Sequence, residues 1–251
     1  PKVTLSDIPE GVKLLKPKDS HSLEIDEFDV KTNGIFRIRI AYKLPCLTKE
    51  ELEILPIWAS YIDELGCEEE DYAAVQDRRS RVGEFSASCI VKPNLGDSEI
   101  ETGFLILNGK GLVRKRDEVI ATTDELVKKV RFDERQRLKE LLYQSRAEAE
   151  QSLTARGHYL AMLCAAKSLS KKGALDEIWD GGTSILAIKR LASGIEKNSV
   201  SEHVFELFES IRCKILGGRP KIMLMAEGNA LNGASQVCRA FSQSLCEEPT
   251  D

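Results

Sequence analysis

Between residues 35 and 42 the chain alternates with a period of two. Phe36, Ile38, Ile40 and Tyr42 fall on one side, and Arg37 and Arg39 on the other. That is the pattern of a strand with one buried and one wet face. Immediately before it stand Asn33 and Gly34, a pair that favours the positive φ values of a tight hairpin. A strand near 22–30 therefore turns back into 35–42. A second pair of strands is predicted at 84–92 and 100–108, with Pro93, Asn94, Gly96 and Asp97 between them. A late run, Lys221-Ile222-Met223-Leu224-Met225-Ala226, is continuously apolar after its first residue. It reads as a central strand covered on both faces.

Helices fill the rest. Thr48 with Glu51 three residues on forms a capping box, and Gly66 closes the helix, which Pro56 is expected to interrupt or bend. A second helix starts in the acidic run 68–71 and ends near Arg81. Others are predicted at about 112–129, 133–155, 157–169, 184–194, 201–216 and 231–245. The order is β-β-α-α-β-β, several helices, then β-α. This gives an α+β fold, a mostly antiparallel sheet with helices packed on it. The expected division is an irregular lead-in over 1–21, one domain over 22–245 and a tail over 246–251.

Composition narrows the function. The net charge of −5 gives no case for nucleic-acid or membrane binding. No apolar run approaches the roughly 20 residues needed to span a bilayer. The seven cysteines are odd in number and contain no Cys-x-x-Cys pair. They read as buried thiols of a reducing compartment, cytoplasm or organelle matrix.

The residues that carry chemistry are sparse. His21, His158 and His203 lie far apart, and none belongs to a His-x-x-x-His or His-x-x-Glu-His arrangement. No catalytic or metal-ligating residue is assigned. His203 reads as a capping or solvated side chain and His21 as exposed. His158 follows Gly157 at a helix start. It either orders the helix junction by a local hydrogen bond or, with Tyr159, contacts a substrate or a neighbouring domain. Ser168-Leu169-Ser170-Lys171 matches Ser-x-x-Lys, but its companion motifs are missing, and polarity at a helix C-terminus explains it. Gly109-Lys110-Gly111 and Gly217-Gly218 read as loops. The basic runs 114–116 and 128–131 read as solvated helix faces, with an electropositive wall receiving a peptide as the alternative.

Five segments stand in a fixed order: Thr32-Asn33-Gly34-Ile35, Leu65-Gly66-Cys67, Asp71-Tyr72, Ser86-Ala87-Ser88 and Gly157-His158-Tyr159-Leu160-Ala161. Together they resemble the third, non-catalytic domain of the insulinase-type zinc peptidases, in the presequence-protease branch. Val82-Gly83-Glu84 departs from that family's Thr-Gly-Gly. The segment Val3–Pro9 resembles the lead-in to the second half of such proteins, so a start at Pro1 reads as excision from a longer chain.

The resemblance implies an insulinase-type α/β domain that forms part of a chamber wall. The parent would be a zinc metalloendopeptidase that degrades short unstructured peptides. The fragment itself would be inactive and hold no cofactor, with zinc in the parent's catalytic domain. Its partners would be the other domains of the same chain. The alternative is a stand-alone structural or peptide-binding protein built on the same domain.

Overall fold

A computed structural model describes residues 15–18, 24–94, 101–195 and 202–243. Among the described residues, five strands form one sheet: β1 (Ile25–Asp29), β2 (Ile35–Lys43), β3 (Gly83–Pro93), β4 (Glu101–Leu112) and β5 (Lys221–Ala226). The spatial order is β1-β5-β2-β4-β3. The β1–β5 pairing is parallel; β5–β2, β2–β4 and β4–β3 are antiparallel. The α+β layout is as expected, and β3 and β4 pair as predicted, but β1 and β2 do not form the expected hairpin because β5 lies between them. Between β1 and β2, Asn33 (φ 53°) and Gly34 (φ 77°) both take the left-handed conformation, as the Asn-Gly pair predicts.

β5 is flanked on both edges rather than covered on both faces. Ile222, Leu224 and Ala226 are buried, while Met223 and Met225 are half-buried. The continuous apolar run thus overstated its burial. Phe36, Ile38, Ile40 and Tyr42 on β2 and Leu105 and Leu107 on β4 join these in the core. Arg37 and Arg39 face outward and are exposed.

The helices are α1 (Lys49–Tyr61), α2 (Tyr72–Val82), α3 (Arg116–Lys128), α4 (Arg135–Ala155), α5 (Gly157–Ala166), α6 (Lys171–Asp180), α7 (Gly182–Ile195), α8 (Glu202–Leu216) and α9 (Ala234–Gln243). The capping box at Thr48 is present. Glu51 N donates to Thr48 Oγ1 at 3.3 Å, and Thr48 N donates to Glu51 Oε2 at 2.7 Å. Glu51 is also buried and accepts from Ser210 Oγ at 2.7 Å and from Lys214 Nζ at 2.6 Å. One carboxylate thus caps α1 and anchors α8. Burial alone would raise its pKa. Lys214, Ser210 and Thr48 outweigh that and hold it down at about 2.

Pro56 does not interrupt α1, which runs through it. A proline cannot donate to the carbonyl four residues back. Here that carbonyl, of Leu52, accepts instead from Trp179 Nε1 at 3.0 Å. Trp179 belongs to α6, a helix that the sequence pattern does not predict because it buries little besides this residue. Trp58 is fully buried and donates Nε1 to the Phe208 carbonyl at 3.1 Å. Its ring lies 6.3 Å from Phe132, which meets Phe208 edge-on at 5.3 Å. This cluster locks α1 to α8.

Gly109-Lys110-Gly111 is strand, not loop: β4 extends to Leu112. A Cβ at Gly109 would stand 1.9 Å from Thr123 Oγ1. The glycines are there so that α3 can approach the sheet closely.

The cysteines correct another expectation. Cys67 and Cys238 are buried and Cys89 is half-buried, but Cys46, Cys164 and Cys213 are exposed. Apolar neighbours in sequence did not guarantee burial, most plainly on α5. Cys246 lies outside the described residues. Desolvation pushes the Cys89 thiol up to about 12, so it is chemically quiet.

Candidate functional site

Most of the sequence segments singled out above have structural duties. Thr32 N and Asn33 N both donate to Glu227 Oε1 at 2.8 Å, which clamps the turn between β1 and β2 to the end of β5. Gly66 N and Tyr72 N both donate to the Glu134 carboxylate, at 2.5 and 3.1 Å. Cys67 bridges to Val130, and Asp71 caps α2 by accepting from Ala74 N at 2.9 Å. Ser170 caps α6 by accepting from Gly173 N at 2.9 Å, so the Ser-x-x-Lys match is a helix start rather than a helix end or a nucleophile. In the basic runs, Arg116 Nη1 donates to the carbonyls of Ala230 and Asn232, Lys128 pairs with Asp124, and Arg131 pairs with Asp133. These cations serve local structure and the joints between elements.

Ser86-Ala87-Ser88 pairs with β4, Ala87 packs against the core and Ser86 Oγ accepts from Asn108 Nδ2 at 3.5 Å, which leaves the start of α5 without such work. Gly157 has no positive φ, and a Cβ there would meet nothing within 4 Å. His158 is exposed and forms no hydrogen bond or ion pair among the described residues. It therefore does not order the helix junction by a local hydrogen bond. Tyr159 is half-buried, and the Arg156 guanidinium lies 4.5 Å from its ring centroid.

The helix that follows is apolar at nearly every position, Tyr159-Leu160-Ala161-Met162-Leu163-Cys164-Ala165-Ala166. Only Leu163 is buried. Met162 is 57% exposed and Leu169, just beyond the helix, 81%. Leu153 at the end of α4 and Leu186 on α7 add to the exposed apolar surface. A helix apolar all round is expected to be covered on all sides, and this one is not.

No catalytic constellation accompanies it among the described residues. His203 Nε2 lies 3.0 Å from Glu50 Oε1, tying the start of α8 to α1 across an exposed surface rather than capping its own helix. His21 lies outside the described residues. Among the described residues no group of three or more His, Cys, Asp or Glu could hold a metal ion. The residues present do not fit a catalytic zinc, whose ligands must converge.

Comparison with known proteins agrees with the fold. The family of peptidase-associated domains from subfamily C of metallopeptidase family sixteen matches residues 1–191. The chain belongs to that family. Among curated relatives, it is 23% identical over 254 residues to presequence protease 1 of Arabidopsis thaliana, chloroplastic/mitochondrial. That alignment covers 100% of this chain and 23% of the relative. It is 24% identical over 209 residues to the mitochondrial presequence protease of Danio rerio, covering 80% of this chain and 20% of the relative. The chain thus spans less than a quarter of the length of these relatives. Among solved structures, a conserved protein from Enterococcus faecalis superposes with a TM-score of 0.62 at 11% identity, over 95% of this chain and 52% of the other. The family assignment carries the resemblance to insulinase-type, presequence-protease-like peptidases. The chain is a peptidase-associated domain of that group, with the α/β fold its sequence predicts.

Proposed function

We propose that this chain is a non-catalytic chamber-wall domain of a zinc metalloendopeptidase that degrades short unstructured peptides. Its α5 surface, with His158 and Tyr159, seats against another domain of the same parent. The observation that carries this reading is α5 itself, an apolar helix with one buried residue in a chain that spans less than a quarter of its presequence-protease relatives. Zinc would be held elsewhere in the parent, and the reacting groups with it. The names of the relatives favour an organelle matrix. A cytoplasmic setting is equally reducing and suits the free thiols.

Two measurements test it. The chain incubated with zinc and an unfolded peptide yields no cleavage products by mass spectrometry; zinc-dependent cleavage lost in His158→Ala would overturn the reading. Alkylation of Cys164 should be fast in this chain and slower by about tenfold in a longer parent polypeptide, where its helix is covered. Exposed Cys46 and Cys213 serve as internal references. Equal protection of all three rejects a specific seat for α5.

A further inference from the structure

On the exposed sheet face that carries Arg37, Arg39, Ser86 and Ser88 the electrostatics are out of balance. On this face β2 presents Arg37 and Arg39. β4 places Lys110 directly opposite Arg37, and Asn108 opposite Arg39. β3 continues both rows with Glu84 and Ser86. Like charges opposed across a strand pair repel, yet Arg37 and Lys110 stand side by side with a single carboxylate in the row. Glu84 takes Lys110 Nζ at 2.7 Å, and that hydrogen bond holds its carboxyl below the usual range. Arg37 forms no hydrogen bond or ion pair among the described residues and acts on Glu84 only through its longer-range field. Arg39, which is exposed, gives Nε to Asn108 Oδ1 at 3.0 Å, and its two terminal nitrogens form no hydrogen bond among the described residues. Ser88, two residues along β3, is exposed and unengaged. The two arginines, Lys110, Glu84, Ser86 and Met225 are among the residues that line a depression of about 340 Å³.

Lys110 with Glu84 and Arg39 with Asn108 brace neighbouring strands, but the opposed Arg37 and Lys110 do not, and threonine at those two positions would pair at no electrostatic cost. The geometry points to an acidic, extended peptide as the occupant. Its carboxylates meet the planar forks of Arg37 and Arg39, each able to donate two parallel hydrogen bonds to a carboxylate. The hydroxyls of Ser86 and Ser88 offer further partners, and Met225 receives an apolar side chain. A long polyanion such as nucleic acid is disfavoured because the chain as a whole carries −5. A short peptide brings only a few charges, all at the basic rows. This assignment is independent of the chamber-wall reading, because it concerns binding by this chain whatever the parent does.

The test is a two-dimensional ¹⁵N–¹H NMR titration of the 251-residue chain with an end-blocked Glu-rich peptide and its Gln-rich and Lys-rich analogues. The Glu-rich peptide should bind about tenfold more tightly than the Gln-rich one, shifting amides in β2 and β4 around Arg37, Arg39 and Lys110. The double change Arg37→Ala with Arg39→Ala should weaken it by about tenfold. Glu84→Gln, which removes the competing carboxylate, should tighten it by about threefold. These side chains lie at the surface, so circular dichroism should be unchanged. If the double variant nevertheless misfolds, Arg37→Gln and Glu84→Gln alone decide. Equal affinity for the Glu- and Gln-rich peptides, shifts confined to other elements, or displacement of the peptide by an oligonucleotide at equal or lower concentration overturns the assignment.

Discussion

Helices α8 and α5 are both rich in apolar residues and meet opposite fates. Val204, Leu207, Phe208, Ile211 and Ile215 of α8 are buried in the core, with polar residues on the outer side. α5 has no polar side to turn outward, and yet it buries only Leu163. A helix amphipathic for this chain completes itself. On the reading proposed above, a helix apolar on every side is completed by another domain of the parent.

The contrast breaks most sharply under truncation of a core side chain. Trp58→Ala should cost about 3–5 kcal/mol, removing the ring beside Phe132 and orphaning the Phe208 carbonyl. A loss under about 1 kcal/mol by urea denaturation would mean that the α1–α8 contact is not the core. Next comes the buried charge. Glu51→Gln leaves Lys214 without its partner, and because that lysine reaches solvent the cost should be about 1–2 kcal/mol at neutral pH.

Its pH dependence sharpens the same point. The Glu51 pKa is depressed on folding, so its contribution is complete above the unfolded value near 4.5. It is lost as pH falls through that value toward about 2. The native chain should therefore lose stability over this window more steeply than Glu51→Gln; parallel curves would remove Glu51 as the cause. The smallest effect is expected on α5. Met162→Ser with Leu169→Ser should change stability by less than about 0.5 kcal/mol while lowering the binding of an apolar dye. A large destabilisation would show that α5 is covered within this chain.

How far the sequence foretold this depends on whether a residue's role is local. Asn33-Gly34 announces its turn, and Thr48 with Glu51 announces its cap, because both motifs act within a few residues. The second role of Glu51 needs Ser210 and Lys214, far along the chain, and no spacing rule reaches them. Helix α6 escaped because its main anchor is Trp179, which answers a vacancy left by Pro56 more than a hundred residues earlier. Gly109 and Gly111 suggested a loop by composition, but what they record is the closeness of α3. At the candidate surface, His158 and Tyr159 were legible as a helix start. The exposure of the whole helix was not, since apolar sequence normally predicts burial. Arg37 and Arg39 were legible as outward-facing from alternation alone, whereas Lys110 joined them only once β4 proved to run through the glycines.

The position of β5 between β1 and β2 has a consequence for synthesis. The first strand has no neighbour in the sheet until the last one arrives, so a nascent chain that has reached only Gly218 holds β1 unpaired and β2 with one edge bare. Contacts closed over such a span form slowly. Until then these edges are open to other extended segments, and assembly of the sheet must wait for β5 to leave the ribosome.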